Sequence, residues 1–278
     1  MVTRLATGEG WGLLESLPPY DGATVLPLQA RLRAAGFDAD LVAAVLTQSR
    51  LRARAVDKLG AFAAGMLFTD DGLEQATRLP LAARHAERFV TAGVATVHDL
   101  GCGIGADAMA FAGLDLAIQA IDADPATAAV ATVNLRHFPE ATVRAGLAET
   151  VALPSGARAR HTGVWVDPAR RVTGVADSRG RTRRVFALDA ISPPWTRVQE
   201  WAAQVPAAGA KLSPALAHQA IPAGAEAEWV SWQGEVLECV VWFGSLARRP
   251  GRVASVCRRD RLPVSVAEAD AHGGDATL

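Results

Sequence analysis

The chain has 278 residues, half of them hydrophobic, so it can bury a sizeable core in one large domain or in one domain with a smaller partner; its net charge of -1 excludes strong bulk attraction to nucleic acid, and any RNA contact needs a local patch. Three scattered cysteines (Cys102, Cys239, Cys257) without Cys-x-x-Cys spacing, and six histidines without ligand spacing, exclude a metal site and a disulfide framework from the expectation. No apolar run is long enough to span a bilayer and no basic-then-apolar leader opens the chain, so a cytoplasmic enzyme is the default.

Residues 13–66 read as helices. Leu26, Leu28 and Leu32, then Leu41, Val42, Val45 and Leu46, recur at helical spacing, with Gly36 and Asp38 as stop and start signals between two segments. Arg50, Arg52, Arg54 and Lys58 follow, interleaved with Leu51, Ala53, Ala55 and Leu59. One reading makes them a solvated helix face; the other makes them the best basic patch of the chain, with RNA as the partner. Residues 68–78 read as a polar turn before a helix over 81–91.

The next stretch organises the chain. A strand over 94–100 carries Asp99 and meets three alternating glycines, Gly101, Gly103 and Gly105. A helix over 106–112 and a second apolar run over 116–121 follow, closed by Asp122. Strand, glycine turn, helix, strand and terminal acid describe a βαβ nucleotide-binding unit. The glycines let a ligand press against bare backbone, and Asp122 is placed to accept both hydroxyls of a ribose. The dinucleotide pattern, Gly-x-Gly-x-x-Gly, offers a helix N-terminus to a pyrophosphate. Here an acid precedes Gly-x-Gly-x-Gly, and a carboxylate at that place repels a diphosphate but suits an ammonium. S-adenosylmethionine has an ammonium, a ribose and no phosphate. The pattern resembles motif I of the class I S-adenosylmethionine-dependent methyltransferases; a glycine-rich turn without a ligand is the alternative.

After Asp122 come a helix over 125–135, capped by Asp124 with Pro125 in its first turn, and strands over 142–145 and 163–166. The second strand ends in Asp167-Pro168-Ala169-Arg170-Arg171, followed by an Arg-rich hairpin or loop over 172–184. Ser192-Pro193-Pro194-Trp195 leads into a helix reaching about residue 205, then a buried strand over 210–212, and strands over 228–232, 235–243 and 252–257. Alternation that closes with antiparallel strands predicts an α/β sheet with a late edge hairpin; with the motif I resemblance, this implies a Rossmann-like class I methyltransferase sheet with a helical N-terminal cap. The expected boundaries are 1–70 for the helical domain, 71–258 for the Rossmann-like domain and 259–278 for a loose polar tail.

Methyl transfer from a sulfonium is an in-line displacement, and its acceptor belongs beyond the fourth strand at the carboxyl ends of the sheet. Asp167-Pro168-Ala169-Arg170 there resembles motif IV of nucleic-acid amino-methyltransferases, usually Asp/Asn-Pro-Pro-aromatic, whose acid and backbone carbonyl accept hydrogen bonds from the amine. Ala169 and Arg170 depart from that pattern and remove the stacking ring; Trp195 either replaces it or is a core residue. Asp-Pro-x-Arg is also similar to RNA uracil-C5 methyltransferases, but these need a cysteine nucleophile where this chain has Lys211-Leu212-Ser213-Pro214. After the third strand, where an acid often binds the adenine amine, Arg144-Ala145-Gly146-Leu147 leaves Glu149 or backbone to serve. The candidate catalytic residues are Asp167, Pro168 and Arg170. The candidate cofactor-binding residues are Asp99, Gly101, Cys102, Gly103, Gly105, Asp107, Asp122, Ala123 and Glu149, with Gln75 and Thr77.

Lys58-Leu-Gly60, Met66-Leu-Phe-Thr69, Gly72-Leu-Glu-Gln-Ala-Thr-Arg78, Asp99-Leu-Gly-Cys-Gly-Ile-Gly105, Asp167-Pro-Ala-Arg-Arg171 and Glu228-Trp-Val-Ser231 together resemble an actinobacterial family of class I methyltransferases over residues 13–256. In that family a THUMP-like module usually follows the catalytic domain, and this chain ends before such a module fits. The resemblance implies an S-adenosylmethionine-dependent enzyme. Because THUMP modules elsewhere bind RNA, it also implies an RNA base, at an amino or ring nitrogen, as acceptor. A small molecule or protein as acceptor, or a cofactor-binding but inactive interaction partner, are the other readings.

Overall fold

The computed structural model describes residues 2–168, 171–176, 182–184, 188 and 191–270. Helices come first: α1 (Val2–Leu5), α2 (Gly8–Ser16), α3 (Val25–Ala34), α4 (Ala39–Leu59), α5 (Asp70–Gln75) and α6 (Leu79–Thr91). Alternation then begins with β1 (Thr96–Leu100), α7 (Ala106–Ala112), β2 (Ala117–Asp122), α8 (Pro125–Asn134), β3 (Ala141–Ala145) and β4 (Thr162–Val166). β5 (Arg171–Ala176), β6 (Thr182–Arg184), α9 (Trp195–Gln204), β7 (Ala207–Leu212), β8 (Glu226–Trp232), β9 (Glu235–Gly244), β10 (Gly251–Cys257) and β11 (Val264–Ala267) complete the order.

One sheet runs β11-β10-β8-β9-β7-β4-β1-β2-β3, and β5 pairs with β6 in an antiparallel ribbon of its own. β4 is parallel to β1 and β7, β2 is parallel to β3, and β9 is antiparallel to both β7 and β8. Three expectations are corrected. The polar stretch after Phe68 holds a helix, α5, which Thr69 caps by accepting from the Gly72 N–H at 2.9 Å. β10 is parallel to β8, so the sheet does not close on antiparallel strands alone. The stretch read as a loose tail contributes β11, antiparallel to β10. No helix among the described residues is long and apolar enough to cross a membrane.

The chain divides into two compact units, Met1–Ala86 with Cys102–Leu147, and Glu87–Gly101 with Ala148–Leu278. In the first, α4 buries Leu41, Val45, Gln48, Leu51, Ala55 and Leu59, three or four residues apart, as an amphipathic helix must. Asp38 starts it by accepting from the Asp40 and Leu41 N–H groups. The extended segment after α4 cannot satisfy its own backbone, and two buried side-chain amides do so. Gln48 accepts from the Phe68 N–H at 2.9 Å and donates to the Phe68 carbonyl at 2.7 Å. Asn134, at the end of α8, accepts from the Leu67 N–H at 2.8 Å and donates to the carbonyls of Leu67 and Ile104 at 3.0 and 2.8 Å. A Cβ on Gly72 would stand 2.4 Å from the Ile104 methyl, so α5 approaches the glycine turn as closely as a bare Cα allows.

In the second unit Arg88 is buried between two buried glutamates. Its Nη1 donates to Glu228 at 2.9 Å, its Nη2 donates to Glu226, and its guanidinium lies 4.5 Å over the Trp242 ring. Burial lowers the Arg88 pKa, and the two carboxylates oppose that. Trp242 Nε1 donates to Glu228 at 3.0 Å, so the network ties α6 to β8 and β9.

Replacing Asn134 by Leu leaves two carbonyls and one N–H buried without partners. With each orphan worth about 1–3 kcal/mol, Asn134→Leu is expected to lose roughly 3 kcal/mol or more in urea unfolding. Thr132→Ala, exposed on the same helix, is expected to shift stability by less than about 0.5 kcal/mol. An Asn134→Leu protein as stable as the parent would remove the clamp from the account.

Candidate functional site

The turn between β1 and α7 is built on backbone that only glycine adopts easily. Gly101, Gly103 and Gly105 have φ of 94°, 55° and 85°. Cys102 N–H donates to the Ile121 carbonyl at 3.0 Å, which sews the turn to β2. Gly103 N–H then donates to Asp122 Oδ2 at 2.9 Å, and Asp124 N–H donates to Asp122 Oδ1 at 3.0 Å. Charge-assisted bonds to both oxygens fix the plane of the carboxylate at the end of β2. A Cβ on Gly103 would meet no atom within 4 Å, so the bare backbone beside Asp122 faces open space. That is the cradle a ribose-bearing ligand requires, and the residues present fit S-adenosylmethionine there.

Thr77 and Asp107 are brought together in the same unit. Both are buried, and Thr77 Oγ1 donates to Asp107 Oδ2 at 2.6 Å. His85 Nδ1 lies 2.8 Å from the other oxygen, so Asp107 ties the segment before α6, and α6 itself, to the first turn of α7. Gln75 and Ala123 are exposed. Cys102 is buried and outside any disulfide, with its Sγ 3.6 Å from the Gly103 carbonyl.

The second unit holds the remaining candidates. Asp99 is buried on β1, in register with Trp165 of β4. A Cβ on Gly101 would stand 2.8 Å from the Asp167 carbonyl, so the first glycine packs on the chain leaving β4. Asp167 Oδ2 lies 2.5 Å from Lys211 Nζ; the lysine side chain is 6% exposed and the aspartate side chain 26%. Ala210 pairs with Val166, so Lys211 and Asp167 extend that register one step beyond β4. Pro168 is buried and Glu149 is half-buried in a turn over Ala148–Thr150. Arg170 and Ala169 lie outside the described residues. Trp195 is buried, with its ring 6.0 Å from that of Phe243, which makes it a core residue.

The basic run on α4 is engaged within the chain. Arg50 and Arg54 both pair with Asp70, at 3.1 and 2.9 Å. Lys58 donates to the carbonyls of Leu73, Glu74 and Ala76 at the end of α5, and Arg52 Nε donates to the Met66 carbonyl at 2.9 Å. Sequence reasoning missed Lys211 and His85. The signal for Lys211 was present: the chain has only two lysines, and this one interrupts a strand of small apolar residues. His85 lies on the stripe that α6 buries with Leu81, Ala82 and Phe89.

Comparison with known proteins adds three findings. The family described as a domain of unknown function (DUF8688) matches residues 1–55. A Mycobacterium tuberculosis H37Rv protein described as an uncharacterized S-adenosylmethionine-dependent methyltransferase is 32% identical over 209 residues, covering 71% of this chain and 52% of its own length. Its counterpart in strain CDC 1551 matches equally, and the chain spans about half the length of these curated relatives. The crystal structure of a candidate methyltransferase from Porphyromonas gingivalis W83 superposes with a TM-score of 0.61 at 18% identity, over 91% of this chain and 67% of that one. The fold of this chain is that of the class I methyltransferases.

Proposed function

We propose that the chain is a cytoplasmic S-adenosylmethionine-dependent methyltransferase that modifies an RNA base at an amino or ring nitrogen, and that it belongs to the actinobacterial family whose members usually carry a THUMP-like domain. The observation that carries the cofactor reading is the Gly103 N–H bond to Asp122 beside an open backbone face. The M. tuberculosis relatives support it by description, over the matched half of their length. The basic run on α4 supports RNA: the Arg50 and Arg54 side chains are 39% and 51% exposed, and exposed ion pairs of this kind exchange at a cost of about 0–1 kcal/mol.

When bound, S-adenosylmethionine supplies an electrophilic methyl group on a sulfonium. Asp122 would accept from the ribose hydroxyls, the backbone N–H groups of residues 101–105 would hold the ligand, Asp99 would meet the ammonium and Glu149 would accept from the adenine amine. Thr77 and Asp107 shape the start of α7 through their mutual bond. On the acceptor side, Asp167 accepts a hydrogen bond from the N–H of the base and turns the nitrogen lone pair towards the methyl group. Pro168 and Arg170 follow it in the chain as the further candidates on the acceptor side. Lys211 holds one carboxylate oxygen of Asp167, which fixes the plane in which the group meets the acceptor.

Three outcomes follow. In tritium-transfer assays that separate RNA, protein and small molecules from extract, label is expected in RNA; label confined to another fraction overturns the acceptor, and no label in any fraction overturns the enzyme reading. Asp167→Ala is expected to keep cofactor affinity by calorimetry while turnover falls, since the lost interaction is with the acceptor. Lys211→Met is expected to lower turnover by up to about 100-fold, as misplacing a positioned group by an ångström does, with partial rescue in Lys211→Arg. A protein that melts earlier but turns over normally removes these residues from the site.

A further inference from the structure

In the first unit, a cleft of about 520 Å³ is lined by α2 and α8, among others by Thr7, Trp11, Gly12, Glu15, Val133 and Arg136. Its size lies within the range of about 300–1,000 Å³ usual for small-ligand sites, and its wall is mostly apolar with a few polar groups. The polar groups are unequally charged. Arg136 and Arg52 both place their guanidinium carbons over the Trp11 ring, at 4.2 and 5.0 Å, and Glu15 accepts from Trp11 Nε1 at 2.5 Å. Two guanidiniums therefore stack on one ring, with the single carboxylate of Glu15 as the nearby opposite charge.

Neither arginine is saturated. Arg136 makes both of its hydrogen bonds from Nη1, to the Gly65 and Val133 carbonyls at 3.0 and 2.8 Å, so among the described residues Nε and Nη2 are left for another acceptor. Arg52 Nη2 is buried with no hydrogen-bond partner among the described residues. Burial pushes the Arg52 pKa down to about 10; Arg136 pushes the same way and Glu15 opposes them. A second anion at this place would relieve that imbalance.

Gly12 points to a cleft kept open. It sits inside α2 with ordinary helical backbone, and a Cβ there would meet nothing within 4 Å. Glycine is a poorer helix former than alanine, and among the described residues no packing contact requires this one.

We propose that this cleft is a phosphate-ester subsite in which Arg136 binds a phosphate of an RNA strand and Glu15 accepts from the adjoining ribose or base. The subsite deepens the RNA reading above and rests on it for the source of the phosphate; a free nucleotide shares the chemistry. The test titrates a short single-stranded oligoribonucleotide, AMP and S-adenosylmethionine into the full chain and into Arg136→Gln and Gly12→Leu. Gly12→Leu fills the cleft without backbone strain, and its melting temperature is expected to match or exceed the parent's. Each variant is expected to weaken oligoribonucleotide binding roughly 10-fold or more. Arg136→Gln is expected to reduce the salt slope by about one, and S-adenosylmethionine affinity should not move in either. Unchanged oligoribonucleotide affinity in both variants overturns the subsite. Loss of AMP binding alone shifts the source to a free nucleotide and overturns RNA anchoring. RNA binding that depends on Arg136 in a protein that transfers no methyl group overturns the function above and leaves the subsite standing.

Discussion

Three hydrogen bonds from one buried amide, that of Asn134, hold the segment after α4 against the glycine turn. The Leu67 N–H and carbonyl have no strand beside them, and the Ile104 carbonyl stands in a turn with no ladder of its own. A buried backbone group without a partner costs about 1–3 kcal/mol, more than the net worth of a typical hydrogen bond, so the three must be met together. Gln48 does the same for Phe68, and Gly72 closes against Ile104. The N-terminal helices are therefore a wall of the turn, and the shape of the candidate cofactor cradle depends on their packing.

The acids near the glycine turn and the strand ends have distinct tasks, each set by its donors. Asp122 receives two backbone N–H groups and is aimed by them. Asp107 receives Thr77 and stands against His85, deep in the first unit. Asp167 meets the ammonium of Lys211, whose burial requires a carboxylate, since an unpaired charge there would cost several kcal/mol. Both lysines of the chain thus serve the fold: half-buried Lys58 satisfies the last carbonyls of α5 and buried Lys211 fixes Asp167. Arginine carries the remaining positive charge, and two guanidiniums lie over the Trp11 ring whose N–H donates to Glu15.

The βαβ segment was legible because its signals are local. Three glycines with positive φ, an acid at or next to the end of each strand, Asp122 and Asp99, and a Pro after the cap residue Asp124 state the turn and the helix starts directly. α5 was not legible, because Asp70-Asp71-Gly72 reads as a turn; Thr69 and Lys58 cap the helix, and Lys58 reaches it from 15 to 18 residues away. The direction of β10 is set by pairing with β8 across the sheet, which no local pattern encodes. β11 is a four-residue edge strand with Val264 and Val266 exposed, so it lacks the apolar run that marks a buried strand. For Asp167 the sequence pointed to an acceptor-facing acid, whereas its partner Lys211 is 44 positions later and emerges only from the register of β4 with β7. Trp195 was left open between ring-stacking and core, and its contact with Phe243 decides for the core.

The central claim is that the turn from Asp99 to Gly105, with Asp122, binds a ribose-bearing sulfonium and not a dinucleotide. Calorimetric titration of S-adenosylhomocysteine and of NAD into the same protein, and into Asp122→Ala, tests it most directly. The account predicts a saturable heat with S-adenosylhomocysteine, none with NAD, and at least a 10-fold loss of affinity in Asp122→Ala, from removed charge-assisted hydrogen bonds worth about 1.5–3 kcal/mol each. Binding of NAD in preference to S-adenosylhomocysteine, or equal S-adenosylhomocysteine affinity in the parent and in Asp122→Ala, would contradict it.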